Sequence, residues 1–183
     1  GLAQITARIE AAGLDLAILT GGALTGRLGG RLELGGSGES PARLVAGLSG
    51  AGTLALADGT LTRFDPAAVS RVIATTGEDA SESEVSRLQD RLATAFERAD
   101  WALGNVGAAV TVAAGVARLS PFTFERAGLR AEASGVVDLR ALTGDIRLVL
   151  RPLGPLPKGW PAQAPQVGVV WRGPLGALTR EAD

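Results

Sequence analysis

The chain has 183 residues, of which 46% are hydrophobic but only 4% aromatic, and its formal net charge is −1. That length suffices for one domain with its own core, and the charge balance supplies no bulk attraction to nucleic acid or anionic lipid. With no Cys, His or Tyr, the chain has no disulfides, thiolate nucleophiles, imidazole bases, or His or Cys metal ligands.

Hydrophobic alternation begins at once. In LAQITARIE, Ile5, Ala7 and Ile9 share one parity against Gln4, Thr6, Arg8 and Glu10, the pattern of a half-buried strand. Leu14, Leu16 and Ile18 in LDLAIL continue in phase, and Leu28, Leu32 and Leu34 follow among glycines. GGSGESPAR is a loop by composition. In GTLALADGTLTRFD, Leu54 and Leu56 alternate with Thr53, Ala55 and Ala57. Asp58-Gly59 is expected to make a two-residue hairpin turn, with Thr60 to Phe64 as the return strand.

The period then changes. Asp65 reads as an N-cap with Pro66 at the first helical position, opening a short helix through AAVSRVIATTG that Gly77 closes. Ser81 and Glu84 form a capping box for a second helix, whose apolar stripe is Val85, Leu88, Leu92, Ala95 and Phe96. This two-helix insert, at about 66–97, is expected to close one end or edge of a sheet. The alternative is a stripe that docks a partner.

Sheet returns at Leu103. Residues Trp101 to Ala117 are uncharged, but Asn105, the glycines and the alternating Val106, Val110 and Val112 suit a strand better than a membrane-spanning helix. A turn at Gly115 leads into VARLSPFTFERAGLRAEASGVVDL, and RALTG is a short hairpin loop before TGDIRLVLRP, with Ile146, Leu148 and Leu150 inward. Five prolines between Pro152 and Pro165 make a stiff crossover. QVGVVW then puts Val167, Val169 and Trp171 on one face. A shift of 56 residues overlays Leu54 on Val110, Leu56 on Val112 and Gly59 on Gly115, while Asp58 falls on Ala114. The repeat keeps the apolar face and the glycine and drops the carboxylate.

No chemistry-bearing constellation emerges. GAGTLA, at 50–55, fits a loose dinucleotide pattern, but that pattern needs a helix opening on it, whereas an alternating strand follows. Asp58, Asp65, Asp138 and Asp145 sit at expected turns or strand ends, where Asp serves local hydrogen bonds. No cofactor, metal, nucleic-acid partner or enzymatic activity is expected. What stands out is sheet surface with small or apolar residues on both faces around 44–56 and 104–117. One face can be core; the second is either covered, by a second sheet or by the two helices, or uncovered, and an uncovered apolar face marks a binding or assembly surface.

LSGAGTLALADGTLTRFDPAAVSRVI resembles the C-terminal region of the AsmA family, with Gly50, Gly52, Asp58, Gly59, Phe64 and Asp65 matching its glycine-rich strand, "dG" turn and helix start. ALGNVGAAVTVAAGVARLSPFTFE is similar to the family's next strand–turn–strand. LRAEASGVVDLRALTGDIRLVL resembles its following hairpin through Gly135, Asp138 and Leu139. VVWRGPLGALTREAD resembles its closing segment, with Ala177 or Leu178 where the family has Pro.

The resemblance implies a β-rich α+β fold: a curled antiparallel meander forming an apolar groove, across a single region 1–183. It also implies a place in the periplasm of a Gram-negative bacterium. The inner-membrane anchor would lie in a segment outside this chain, and the remainder of a parent chain would be a partner. The implied role is non-enzymatic handling of phospholipid or another acyl lipid, in support of the outer membrane. The expected lipid-facing residues are Leu54, Leu56, Val110, Val112, Val137, Leu148 and Leu150. The alternative role is a structural or scaffolding module that docks a partner through the Val85–Phe96 helix.

Overall fold

In the computed structural model of the chain, which describes residues 3–75, 90–155 and 166–182, nine strands form one antiparallel sheet in sequence order. They are β1 (Ala3–Asp15), β2 (Leu24–Gly38), β3 (Ser49–Leu61), β4 (Trp101–Ala113), β5 (Val116–Arg126), β6 (Leu129–Asp138), β7 (Thr143–Pro152), β8 (Val167–Pro174) and β9 (Thr179–Ala182). Three short helices, α1 (Leu16–Thr20), α2 (Pro41–Ala46) and α3 (Ala67–Thr75), lie between strands; residues 90–96 are also helical. The fold is mainly β, as the alternation predicts. The sheet is open, since β1 and β9 are its two edges.

Two stretches read as strand or loop are helical because a polar side chain caps them. The Asp15 carboxylate accepts from the Ala17 amide at 2.9 Å, and Gly21 ends α1 in the left-handed region. LDLAIL therefore leaves the sheet at Leu16. In GGSGESPAR, β2 persists to Gly38, and the Ser40 hydroxyl accepts from the Arg43 amide at 3.3 Å with Pro41 in the first turn.

The Asp58-Gly59 hairpin does not form. β3 runs through it to Leu61, and the pairing with β4 shifts register at Gly59. The type I′ turn that Asp-Gly favours in a two-residue hairpin needs positive φ at both central residues. Ala114-Gly115 (φ 51° and 74°) and Ala127-Gly128 (φ 52° and 74°) meet that condition and are hairpin turns. At 58–59 only Asp58 has positive φ, 52°, which suits a bulge. The Asp58 amide donates to the Asn105 side-chain oxygen at 3.1 Å.

This bulge belongs to a row. β1 shifts register between Ala11 and Leu14, β2 between Thr25 and Arg27, and β4 opposite Gly59. Gly13, Gly26 and Gly104 each have positive φ along the row. At Gly26 the neighbouring backbone also packs too closely for a side chain: a Cβ would lie 2.9 Å from the Ala57 carbonyl oxygen. Aligned bulges bend a sheet and raise its twist. The row is a crease across four strands. Beyond it, the turn after α1 meets the 3-10 turn Leu175–Ala177 between β8 and β9, where Gly21 faces the Gly176 carbonyl.

One core fills the bent half. Phe64 is fully buried; its ring stacks on Phe96 at 4.3 Å and lies 5.7 Å from Trp101 and 6.0 Å from Trp171. Val69 of α3 and Leu92 join them over Leu129, Ala131, Leu148, Leu150 and Val169 of the sheet. Asp65 caps α3 as expected, its Oδ1 accepting from the Ala67 amide at 2.9 Å, and its Oδ2 receives Arg71 at 2.5 Å. The expected helix closure at Gly77, the Ser81/Glu84 capping box, Val85, Leu88 and most of the proline crossover lie outside the described residues.

Candidate functional site: an apolar sheet face

Strand register decides which side chains share a surface, because directly paired residues project to the same side. Ile9 pairs with Leu32, Leu32 with Gly52 and Gly52 with Val110. Val110 pairs with Leu119, and across the next strands Ala117 pairs with Val137. Ala133 pairs with Leu148 and Leu148 with Val169. All seven residues singled out in the sequence therefore lie on one face: Leu54, Leu56, Val110, Val112, Val137, Leu148 and Leu150.

The face is not uniformly open. Leu150 is 0% exposed and Leu148 6%; both form part of the floor under the helical layer and are core rather than surface. Alternation fixes a side chain's face but cannot say which half of that face another element covers. Val110 and Val112 are also buried, on the stretch of β4 that leads to the Ala114–Gly115 turn, where the Gly115 amide donates to the Leu48 carbonyl at 3.3 Å beside α2. Leu54, Leu56 and Val137 are half-buried.

The open part of the face lies further toward β1, where the sequence reading named no site residues. Ile5, Ile9 and Leu14 are 43%, 46% and 50% exposed, and Leu28, Leu32 and Leu34 are half-buried beside them. Glycines keep the surface shallow. Gly50 and Gly52 sit so close to the carbonyls of Glu33 and Arg31 on β2 that no side chain fits, which is what the GAGTLA glycines are for.

The opposite face is polar and paired in register. Arg8 bonds Glu33 at 2.6 Å, Arg31 bonds Glu10 at 2.8 Å, Arg130 bonds Glu125 at 2.7 Å and Arg172 bonds Asp145 at 2.9 Å. Each is a directly opposed cross-strand pair. Asp145 thus serves an ion pair, and Asp138 accepts from the amides of Arg140 and Ala141 at 2.8 and 3.0 Å in the β6–β7 turn. Those two bonds and the Arg140 guanidinium hold the Asp138 carboxyl below the usual range. Among the described residues, no three potential metal-ligating side chains converge.

A concavity of about 820 Å³ lies between the end of α1 and β9; Thr20, Arg63, Thr94, Glu97, Thr179 and Arg180 are among the residues lining it. Arg180 donates to the Arg63 carbonyl at 2.5 Å, the Ala93 carbonyl at 3.4 Å and Glu97 at 3.2 Å, and its guanidinium sits 5.6 Å over the Phe96 ring. Burial pulls its pKa down, against the Glu97 charge. Arg63 also bonds Glu97; that bond lowers the Glu97 carboxyl and raises the Arg63 guanidinium. The cluster fastens the last strand to the helical layer. No local sequence signal marks it, because Arg180 acts across 117 residues of chain to Arg63.

Among the described residues, no helix is long and apolar enough to cross a membrane. Compared with protein-family models, with curated proteins and with solved structures, the chain finds no match.

Proposed function

We propose that the apolar face of β1 to β4 binds the acyl chains of phospholipid or a similar lipid, as a non-enzymatic section of an AsmA-like protein of the bacterial envelope. In this reading the chain works in the periplasm, joined to the remainder of a parent chain and held at the inner membrane by an anchor outside this segment. The observation that carries the proposal is the continuous apolar surface from Ile5, Ile9 and Leu14 to Leu54 and Leu56, exposed at its β1 side and backed by an ion-paired polar face. Acyl chains need a dry, non-directional surface, and each CH2 taken out of water contributes about 0.8 kcal/mol. The scaffold reading has less support, since Leu92 and Phe96 of the stripe offered for docking are buried in the core.

Loading with a fluorescent fatty-acyl phospholipid tests the reading. Leu54→Glu, on the apolar face, is expected to abolish loading, whereas Thr53→Glu, the adjacent residue on the polar face, leaves it intact. Val110 is unsuitable for such a variant because it is only 5% exposed, and a charge there would test the fold instead. Loading should also be insensitive to salt, as no charge drives it. A folded Leu54→Glu variant that loads lipid as well as the unaltered chain would sink the proposal.

A further inference from the structure

The two edges of the sheet differ. β9 has only four residues, two of them charged, and its Arg180 is tied back to the protein. Short, charged edges resist pairing with other chains. β1 is 13 residues long and contains no Pro and no Lys. Of its three charges, Arg8 and Glu10 are already matched by Glu33 and Arg31 on β2, and Asp15 caps α1. Three of the exposed large apolar residues, Ile5, Ile9 and Leu14, lie on this one strand. Among the described residues, the protection β1 carries against strand addition is the bulge between Ala11 and Leu14, which leaves Ala3 to Ala11 as regular edge.

The sequence of β1 is self-complementary in one antiparallel register. A second copy must pair odd residues with odd residues to keep the apolar faces together. Pairing about Arg8 would set Arg8 against its own copy, and pairing about Glu10 would do the same for that carboxylate. Pairing about Ile9 sets Arg8 opposite Glu10 of the second copy, twice by symmetry, with Ile9 on Ile9 and Ala7 on Ala11. Because Arg8 opposes Glu33 and Glu10 opposes Arg31 within each chain, each polar row across the four strands then alternates in sign. Opposed unlike charges favour a register and like charges disfavour it.

We propose that β1 is a self-association edge. Two copies of the chain pair their β1 strands antiparallel about a two-fold axis at Ile9, regular from Ala7 to Ala11 up to the bulge of each copy, and join their apolar faces there into one surface. The pairing is isologous and therefore closed at two copies. It does not depend on what the apolar face binds.

Sedimentation equilibrium over roughly 1 to 200 µM, the range where interfaces of modest size associate, should give a reversible dimer. Arg8→Glu and Glu10→Arg each create two like-charge oppositions, so each alone should dimerise at least about tenfold more weakly. An equimolar mixture of the two should recover a dimer containing one copy of each. Since the chain has no Cys, Ile9→Cys gives a single thiol. At the axis the two Cα atoms would lie about 4.5–5.5 Å apart, within disulfide range, and oxidation should link them. Ile5→Cys, with residue 5 similarly exposed, would place its thiols roughly 26 Å apart along the strands and should not link. A monomer throughout the range overturns the proposal. So does a dimer that both charge variants leave unchanged, or one in which Ile5→Cys links as readily as Ile9→Cys.

Discussion

Gly21 and Gly128 allow the closure beyond the crease to be weighed against a matched control. Both lie in the left-handed region, with φ of 62° and 74°. A Cβ on Gly128 meets nothing within 4 Å, whereas one on Gly21 would lie 2.5 Å from the Gly176 carbonyl oxygen and 3.2 Å from its carbon. The conformational cost of Ala is about 1 kcal/mol at either position. At Gly21 the obstacle is backbone, which cannot rotate aside, so α1 or the 3-10 turn must move. Overpacking of that kind adds roughly 1–3 kcal/mol. Gly128→Ala should thus lose about 1 kcal/mol and Gly21→Ala roughly 2–4 kcal/mol. Urea unfolding followed by tryptophan fluorescence reads the difference as a midpoint lower by about 1 M, for a slope near 2 kcal/mol per M. Equal losses in the two variants would refute the reasoning and remove the α1 contact from the forces that shape the sheet.

Phe64→Ala should cost about 3–5 kcal/mol in the same assay, because it removes a fully buried ring that contacts three other aromatics. Asp65→Ala should cost about 1 kcal/mol for the lost cap alone. Asp65 also has a pH signature. The Arg71 hydrogen bond holds its carboxyl below the ordinary value of 3.8, so its contribution is complete above that value and is lost as pH falls through the lower folded-state value. Stability of the unaltered chain should therefore fall more steeply below about pH 4 than that of Asp65→Asn, as acid titration by circular dichroism would record.

The sequence made the strands and their common face legible wherever the chain runs straight. In such runs a period of two needs no knowledge of the fold, so Leu54, Leu56, Val110 and Val112 could be aligned before any pairing was known. Tertiary context decided the rest. Asp58-Gly59 and Ala114-Gly115 offer similar local chemistry, yet the first is a bulge and the second a turn. Only the approach of Gly26 and Gly104 from the neighbouring strands tells them apart. Leu148 and Leu150 obey the same alternation as Leu54, and only the packing of the aromatic cluster shows them to be core. The open surface at β1 went unnamed because Ile5 and Ile9 look like any half-buried strand until the pairing shows β1 with one neighbour strand among the described residues.

The crease also acts on the chain as a shift of reading frame. Before it, β3 turns its even-numbered residues, Leu54 and Leu56, to the apolar face; after it, odd-numbered Leu61 takes that side, and β4 likewise changes from Trp101 and Leu103 to Val106. Loss of one residue at Asp58 would thus straighten the strand without changing what it buries: Gly59 and Leu61 would fall into the even frame of Leu54 and Leu56, and Leu61 would still face the core. Loss of one residue between Gly59 and Leu61, with the bulge kept, would instead turn Leu61 outward. A change of length at the bulge itself therefore removes the bend and keeps the faces, whereas a change on either side of it exchanges the two faces of half a strand.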